Sequence, residues 1–426
     1  MRGRERKDMV ELEEFIWHRD RAAFVRFTNS QYGGSYEIEM CNEWECSACH
    51  YEVFADAVTK KERRECPSCG RKTLVPKRVA MERIYPPLWI SEEMFEDPVD
   101  VPYEEVRDFI HRYVYLSDER LYDVLASFAI ASWKREIWRA VPYLAFIGNI
   151  ETGKTRALEV LRQLCYHAVS AVSITPAAIT RVLDEYKCTL LLDQAEKLLT
   201  QETEAGRLLY SILLSGYRRD LCYIVAKEGS PTGVQVRDVF GFKAIASERV
   251  FDKALFSRCI IIRMRRGVPQ EERINEGWGF RLRSELLVWR AFRCIFPTES
   301  ELREMGVTLK GREREIWYPL LAVYAFSGYS PSELLSVVEE VEEEHKERVI
   351  SSEDAAIVQS LLSAMSEMDE IYVHELAEYI GMNPRSVGRR LASLGIKRER
   401  SREGMRIDLR RNEERIKELA EEFYLQ

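Results

Sequence analysis

The chain has 426 residues, 46% of them hydrophobic and 31% charged, with a formal net charge of −8. That length predicts two to four globular domains. The acidic balance excludes a global basic field for nucleic acid, so any such contact must come from local patches. The absence of an 18-residue apolar run excludes a membrane-spanning helix.

In chain order, Met1–Asp8 is charged and leads into an acidic amphipathic stretch, which argues against a secretion signal. Residues 9–19 are predicted to be a short helix. Ala22–Phe27 and Ser35–Met40 are predicted strands, with Gly33-Gly34 as the turn between them. Cys46-Ser47-Ala48-Cys49 and Cys66-Pro67-Ser68-Cys69 follow, two C-x-x-C knuckles separated by sixteen residues. Four thiolates at that spacing suit a closed tetrahedral Zn²⁺ site, structural rather than catalytic because no ligand position stays open. The segment resembles a zinc ribbon over residues 41–75. Between the knuckles Lys60, Lys61, Arg63 and Arg64 form a basic tip, read either as phosphate contacts or as a solvated hairpin end. The other cysteines mostly sit in apolar runs, as reduced buried thiols do, so a reducing, cytoplasmic compartment is expected.

Pro86-Pro87, Asp97-Pro98 and Val101-Pro102 mark a linker, after which Tyr103–Tyr113 and Asp118–Trp138 are helical in pattern. Tyr143–Ile147 then reads as a buried parallel strand. Directly behind it stands Gly148-Asn149-Ile150-Glu151-Thr152-Gly153-Lys154-Thr155, a complete G-x-x-x-x-G-K-[ST] phosphate-binding loop. Its glycines let backbone N–H groups turn toward a polyphosphate. Lys154 would reach the terminal phosphates, and the Thr155 hydroxyl would meet Mg²⁺. Ala157, Leu158, Leu161, Leu164 and Cys165 give the following helix one apolar face.

Lys187–Asp193 is an apolar strand ending in a carboxylate, 39 residues after Lys154, and Asp193 is the expected partner of Mg²⁺. Gln194 follows where hydrolysing ATPases of this class carry a glutamate, and an amide cannot accept the proton of an attacking water. Three readings of Gln194 stand: a change introduced to trap bound nucleotide, a natural variant with slow hydrolysis, or Glu196 acting as base despite its different side-chain direction. Leu221–Ala226 and Val234–Phe240 form a hairpin pattern with Lys227 near the tip. Phe242–Ser247 is another buried strand, and Ser247 is a candidate γ-phosphate sensor. Arg258 precedes a further apolar strand, where oligomeric ATPases project an arginine onto a neighbour's nucleotide.

Residues 281–330 read as a helical lid, and Glu339–Glu344 as a solvated acidic helix. In the last third His374–Gly381 is a helix ended by glycine, and Asn383 and Pro384 open the next. Val387, Leu391 and Leu394 face inward there, leaving Arg385, Ser386, Arg389, Arg390 and Ser393 outside. Lys397–Arg402 and Met405–Leu409 flank Glu403-Gly404 as a hairpin. From Arg385 to Arg411 ten Lys/Arg stand against three Asp/Glu, which favours DNA contact, with Lys397, Arg398 and Arg400 joining the helix arginines. This part resembles a winged helix-turn-helix, a fold that also serves protein interaction.

Val106–Tyr113, Val141–Leu164, Ser173–Ala177, Leu190–Glu196, Ser215–Arg219 and Gly311–Val323 together resemble the AAA+-like ATPase domain of phage, plasmid and mobile-element primase–helicase proteins. The likeness covers roughly residues 102–330, with Gly216-Tyr217-Arg218-Arg219 and Trp317–Leu321 as its specific parts. It implies an α/β P-loop core with a parallel sheet and helical lid, forming a homo-oligomeric, hexameric ring that hydrolyses ATP on DNA. Arg258 would act in trans, Arg312 as a lid sensor, and Lys227 inside a central channel, with Arg218 and Arg219 meeting nucleotide or neighbour. The expected divisions are 1–100 for the β-rich zinc domain, 101–267 for the core, 268–350 for lid and linker, and 351–426 for the winged helix and C-terminal helix. The competing function is an ATP-switched DNA-binding initiator or regulator without motor activity.

Overall fold

The computed structural model describes residues 100–426 apart from 200–202, 227–232, 249–252, 293, 351–352, 367, 402–403, 423–424 and 426. Of the first 99 residues it describes 12–18, 21–30, 33–40, 44–46, 48, 52–53, 68–71, 74–76, 86 and 88. The chain divides into two compact units, Met1–Val337 and Val338–Gln426.

The first unit opens with an antiparallel sheet of β1 (Leu12–His18), β2 (Arg21–Ser30) and β3 (Gly33–Met40). The helix expected over 9–19 is therefore a strand. Phe15, Ile16 and Trp17 favour a pleated surface, and all of Leu12–His18 is registered against Arg21–Phe27. The Glu14 side chain is buried, accepting from the Tyr166 hydroxyl at 3.0 Å and from Arg290 Nε at 2.7 Å. Short strands β4 (Trp44–Cys46), β5 (Glu52–Val53) and β6 (Leu74–Pro76) make a second small sheet with β4 in the middle.

Helices α1 (Tyr103–Tyr113) and α2 (Arg120–Ser132) then lead into the main sheet, with the expected end of α2 cut back to a separate 3-10 turn at Arg135–Ile137. Five parallel strands lie in the order β13 (Cys259–Arg263), β7 (Tyr143–Ile147), β12 (Lys243–Ser247), β9 (Leu190–Leu192), β8 (Val169–Ala171). All residues of β7, β9 and β12 are buried, as strands covered on both faces must be. On one face Tyr143, Ala145 and Ile147 pack with Ile179 and Leu183 of α4 (Pro176–Tyr186) and with Ile212 and Leu213 of α6 (Glu204–Ser215). On the other lies α3 (Lys154–Leu164), which also packs on α8 (Glu276–Ala291). Between α4 and α6 sits the single turn α5 (Ala195–Leu198). The hairpin β10 (Tyr223–Ala226) and β11 (Val234–Arg237) forms a separate two-stranded sheet, and α7 (Lys253–Phe256) precedes β13. Residues 276–326 hold α8, α9 (Glu299–Glu304) and α10 (Gly311–Phe326).

α11 (Ser332–Ile350) leads toward the second unit. That unit contains α12 (Glu353–Met365), β14 (Glu370–Tyr372), α13 (Val373–Tyr379), α14 (Pro384–Ser393), β15 (Glu399–Arg400), β16 (Met405–Asp408) and α15 (Glu413–Glu422). Its antiparallel sheet has the order β14-β16-β15. Val387, Leu391, Leu394 and Ile407 enclose its core with Val358, Leu361 and Leu376. Among the described residues no helix is long and apolar enough to cross a membrane.

Candidate functional site

The loop takes its shape from what its residues lack. A Cβ on Gly148 would stand 2.6 Å from the Met264 carbonyl oxygen and 2.7 Å from Thr152 Oγ1, so only glycine fits. Glu151 and Gly153 adopt left-handed backbone, at φ 62° and 88°. Gly153 caps α3 without any side-chain bond, which leaves the first-turn N–H groups of an 11-residue helix facing the loop interior. A phosphate is the natural partner for such a terminus. Thr152 Oγ1 donates to the Asn149 carbonyl at 2.8 Å, tightening the turn. Lys154 Nζ donates to the carbonyls of Gly148 and Asn149, at 2.7 and 2.6 Å, so its ammonium lies across the mouth of the loop. The Ile150 side chain is exposed.

Opposite the loop, the Thr155 hydroxyl donates to Asp193 Oδ2 at 2.8 Å. Parallel pairing makes this possible: both β7 and β9 end at the same edge of the sheet, with β12 between them. A hydroxyl and a carboxylate converging beside a phosphate cradle form an all-oxygen set that suits a hard cation. Thr155 and Asp193 would hold Mg²⁺ here. At the end of β12, the Ser247 carbonyl accepts from Gly148 N–H at 3.3 Å, and its side chain is buried. Asp193 Oδ1 accepts from Gln194 N–H at 2.8 Å. The Gln194 side chain is turned outward, with Oε1 accepting from Lys197 Nζ at 2.8 Å.

The arginines gather at the other edge of the sheet. Cys259 is registered beside Tyr143, so Arg258 lies six positions short of Gly148, about 20 Å along a strand. Its Nε donates to the Leu214 carbonyl at 3.2 Å, and it also donates to the Ala254 carbonyl. Its guanidinium lies 4.7 Å from the centre of the Tyr217 ring. Burial first, then the neighbouring Arg312, push the Arg258 guanidinium down from its ordinary value. Arg312, expected at the nucleotide as a lid sensor, lies instead beside Arg258. It donates to Ser257 Oγ at 2.6 Å and sits 5.6 Å from the same Tyr217 ring, because α10 starts against the head of β13. Arg218 binds Asp220 at 2.8 Å and approaches Glu315 at 3.5 Å, and Arg219 donates to the Arg135 carbonyl at 2.7 Å.

Beneath this edge lies a group that sequence reading missed. Lys243 has no exposed surface, and its Nζ donates to the carbonyls of Gly216, Val239 and Gly241 at 3.1, 3.0 and 2.9 Å. Burial, then Arg135, push this ammonium down to about 7. A lysine heading an apolar strand reads as a solvated end. Gly216 beside it is equally constrained, since a Cβ there would meet the Val239 oxygen at 2.5 Å, and neither fact leaves a signal in the sequence.

In the second unit Asn383 caps α14 as expected, accepting from Arg385 N–H at 2.9 Å. Arg385, Arg389, Lys397 and Arg400 are exposed, and Ser386 is half-buried. Arg390, expected on the outer face, is turned to α12, where it pairs with Asp354 at 2.7 Å and with Glu353. The hydrogen bond to Asp354 raises its pKa. Arg398 is likewise committed, donating to the Gly388 carbonyl. Arg385, Arg389 and Arg398 line a groove between α14 and the β15–β16 hairpin, floored by Val373 and Ala392. Lys227, Cys49 and Cys66 lie outside the described residues, as does the basic tip over 60–64. Cys46 ends β4 and Cys69 occupies a turn; among the described residues no cluster of three His, Cys, Asp or Glu could hold a metal ion.

Fold and site together define a mixed α/β protein with a phosphate-binding loop at the end of a five-stranded parallel sheet. Neither a protein-family model nor a curated protein matches the chain. Among solved structures it is similar to the Thermotoga maritima RuvB Holliday junction branch migration motor, at 15% identity and a TM-score of 0.23, over 72% of this chain and 98% of that one. It is also similar to the apo C-terminal region of NrS-1, at 12% identity and a TM-score of 0.37, over 93% and 96%. JCV helicase aligns at 12% identity and a TM-score of 0.26, over 57% and 60%.

Proposed function

We propose that this chain is an ATP-driven DNA helicase or translocase, forming a ring, hexameric by family resemblance, as a replication protein of a mobile genetic element. One observation carries the reading: a complete phosphate cradle with Thr155 and Asp193 at one edge of the sheet, and Arg258 with Arg312 about 20 Å away at the other. A guanidinium so placed cannot serve its own loop, whereas head-to-tail stacking brings it to the loop of the next copy. Nucleotide then sits between subunits. Lys154 and the partner arginine stabilise charge on the transferred phosphoryl group, and Mg²⁺ held by Thr155 and Asp193 neutralises the rest. Ser247, at the loop through its carbonyl, is the candidate γ-phosphate sensor. The C-terminal unit is read as a winged helix-turn-helix, its helix-strand-helix-helix-strand-strand order and its exposed arginines suiting a DNA surface. Lys227, in the segment of sequence between β10 and β11, is assigned to DNA in the channel. The zinc ribbon on Cys46, Cys49, Cys66 and Cys69 rests on cysteine spacing alone.

The test is subunit mixing in a phosphate-release assay with DNA. Lys154→Ala and Arg258→Ala should each be inactive alone, and mixed they should regain part of the turnover, because some interfaces pair an intact loop with an intact arginine. No recovery on mixing, with both variants folded, would sink the shared site. A strand-displacement assay separates the motor from the ATP-switched initiator: unwinding that tracks ATP turnover supports the motor, and site-specific binding without unwinding supports the switch.

A further inference from the structure

We propose that Glu196, rather than the residue following Asp193, is the general base that activates the attacking water; this rests on the ATPase reading above. Gln194 is poorly suited on three counts. It is an amide, its Oε1 is occupied by Lys197 Nζ at 2.8 Å, and it is exposed at the outside of the turn. Its backbone is left-handed, at φ 53°, where α5 starts, and α5 packs against β12. There the Glu196 carboxylate is held: Oε2 accepts from Glu248 N–H at 3.3 Å. Glu248 directly follows Ser247, and the Ser247 carbonyl in turn accepts from Gly148 N–H at 3.3 Å. Two backbone hydrogen bonds therefore tie the Glu196 carboxylate and the phosphate loop to the same strand end. That end belongs to β12, which lies between the strand feeding the loop and the strand ending in Asp193. With Oε2 anchored, Oε1 remains to take a proton.

The step balances without a further reactant. Glu196 accepts one proton from water, the water oxygen forms a bond to the γ-phosphorus, and the bridging P–O bond breaks. Its electron pair stays on the departing diphosphate, and the carboxylic acid later returns its proton to solvent.

The experiment uses the full chain with Mg-ATP and a single-stranded oligonucleotide, reading phosphate release alongside binding of a fluorescent ATP analogue. Glu196→Gln is expected to lower kcat by about 100-fold or more while the KM for ATP and the analogue's affinity stay within about threefold. Glu196→Asp, which keeps the carboxylate, is expected to recover part of kcat, as a purely structural role would not require. Turnover in Glu196→Gln matching the wild type overturns the assignment, and so does a tenfold gain in Gln194→Glu with Glu196→Gln unimpaired. A wild-type chain that shows neither Lys154-dependent analogue binding nor phosphate release defeats the ATPase reading itself, and this proposal with it.

Discussion

Gly148 is held between a backbone oxygen and a hydroxyl, and the oxygen cannot yield alone. Met264, which supplies it, is registered to the end of β7 by its own N–H, 2.8 Å from the Ile147 carbonyl. Gly148→Ala must therefore displace the strand end or the loop. The expected cost is about 2 kcal/mol of stability, as for other overpacked sites. Analogue binding should fall together with it. Denaturant unfolding and fluorescence titration on the same preparation check both, and a stable variant with full affinity would contradict the geometry. Gly153 is different: its neighbour is only the Met264 methyl at 3.6 Å, and what it supplies is left-handed backbone.

At the scale of elements, β12 makes the clearest prediction. Lys243 is charged in water and carries a depressed pKa, about 7, in the fold. Between that value and its ordinary one near 10.5 the unfolded chain binds more protons. Stability should rise with pH across this window as the cost of burying the ammonium is relieved. Lys243→Met should flatten that rise, which denaturant melts of the two proteins from pH 7 to 10 would show. Parallel slopes would mean that the three carbonyls keep the ammonium charged throughout.

The elements also show how far sequence reading reaches. The loop, α1, β7, β9 and the cap of α14 follow from local chemistry, so motif and periodicity suffice for them. The helix expected over 9–19 gives way to β1, whose Glu14 is buried against Arg290, a partner 276 positions away. The same blindness hid Arg312 beside Tyr217 and Arg390 on Asp354. Each depends on a contact between elements distant in sequence, which no local pattern encodes.

For the whole molecule, ten basic residues between Arg385 and Arg411 overstate the charge available to a partner. Arg406 binds Glu370 at 2.8 Å and Glu399 at 3.1 Å, Arg410 binds Asp369 at 2.8 Å, and Arg390 is held by α12. Arg385→Ala and Arg389→Ala should each weaken DNA binding evenly across sequences and reduce the salt slope by about 1. Arg390→Ala should leave that slope alone and cost at most about 1 kcal/mol of stability, the range of a half-exposed pair. Fluorescence anisotropy over a salt series distinguishes the two classes.

β12 is only five residues long, yet its last carbonyl holds Gly148 and its first side chain holds Gly216, next to the Tyr217 ring shared by two guanidiniums. All five of its residues are registered to β7 and the first three also to β9, so one short strand joins the two sites. A shift of β12 at the cradle would therefore be passed along its backbone toward the far rim, a push rod rather than a lever.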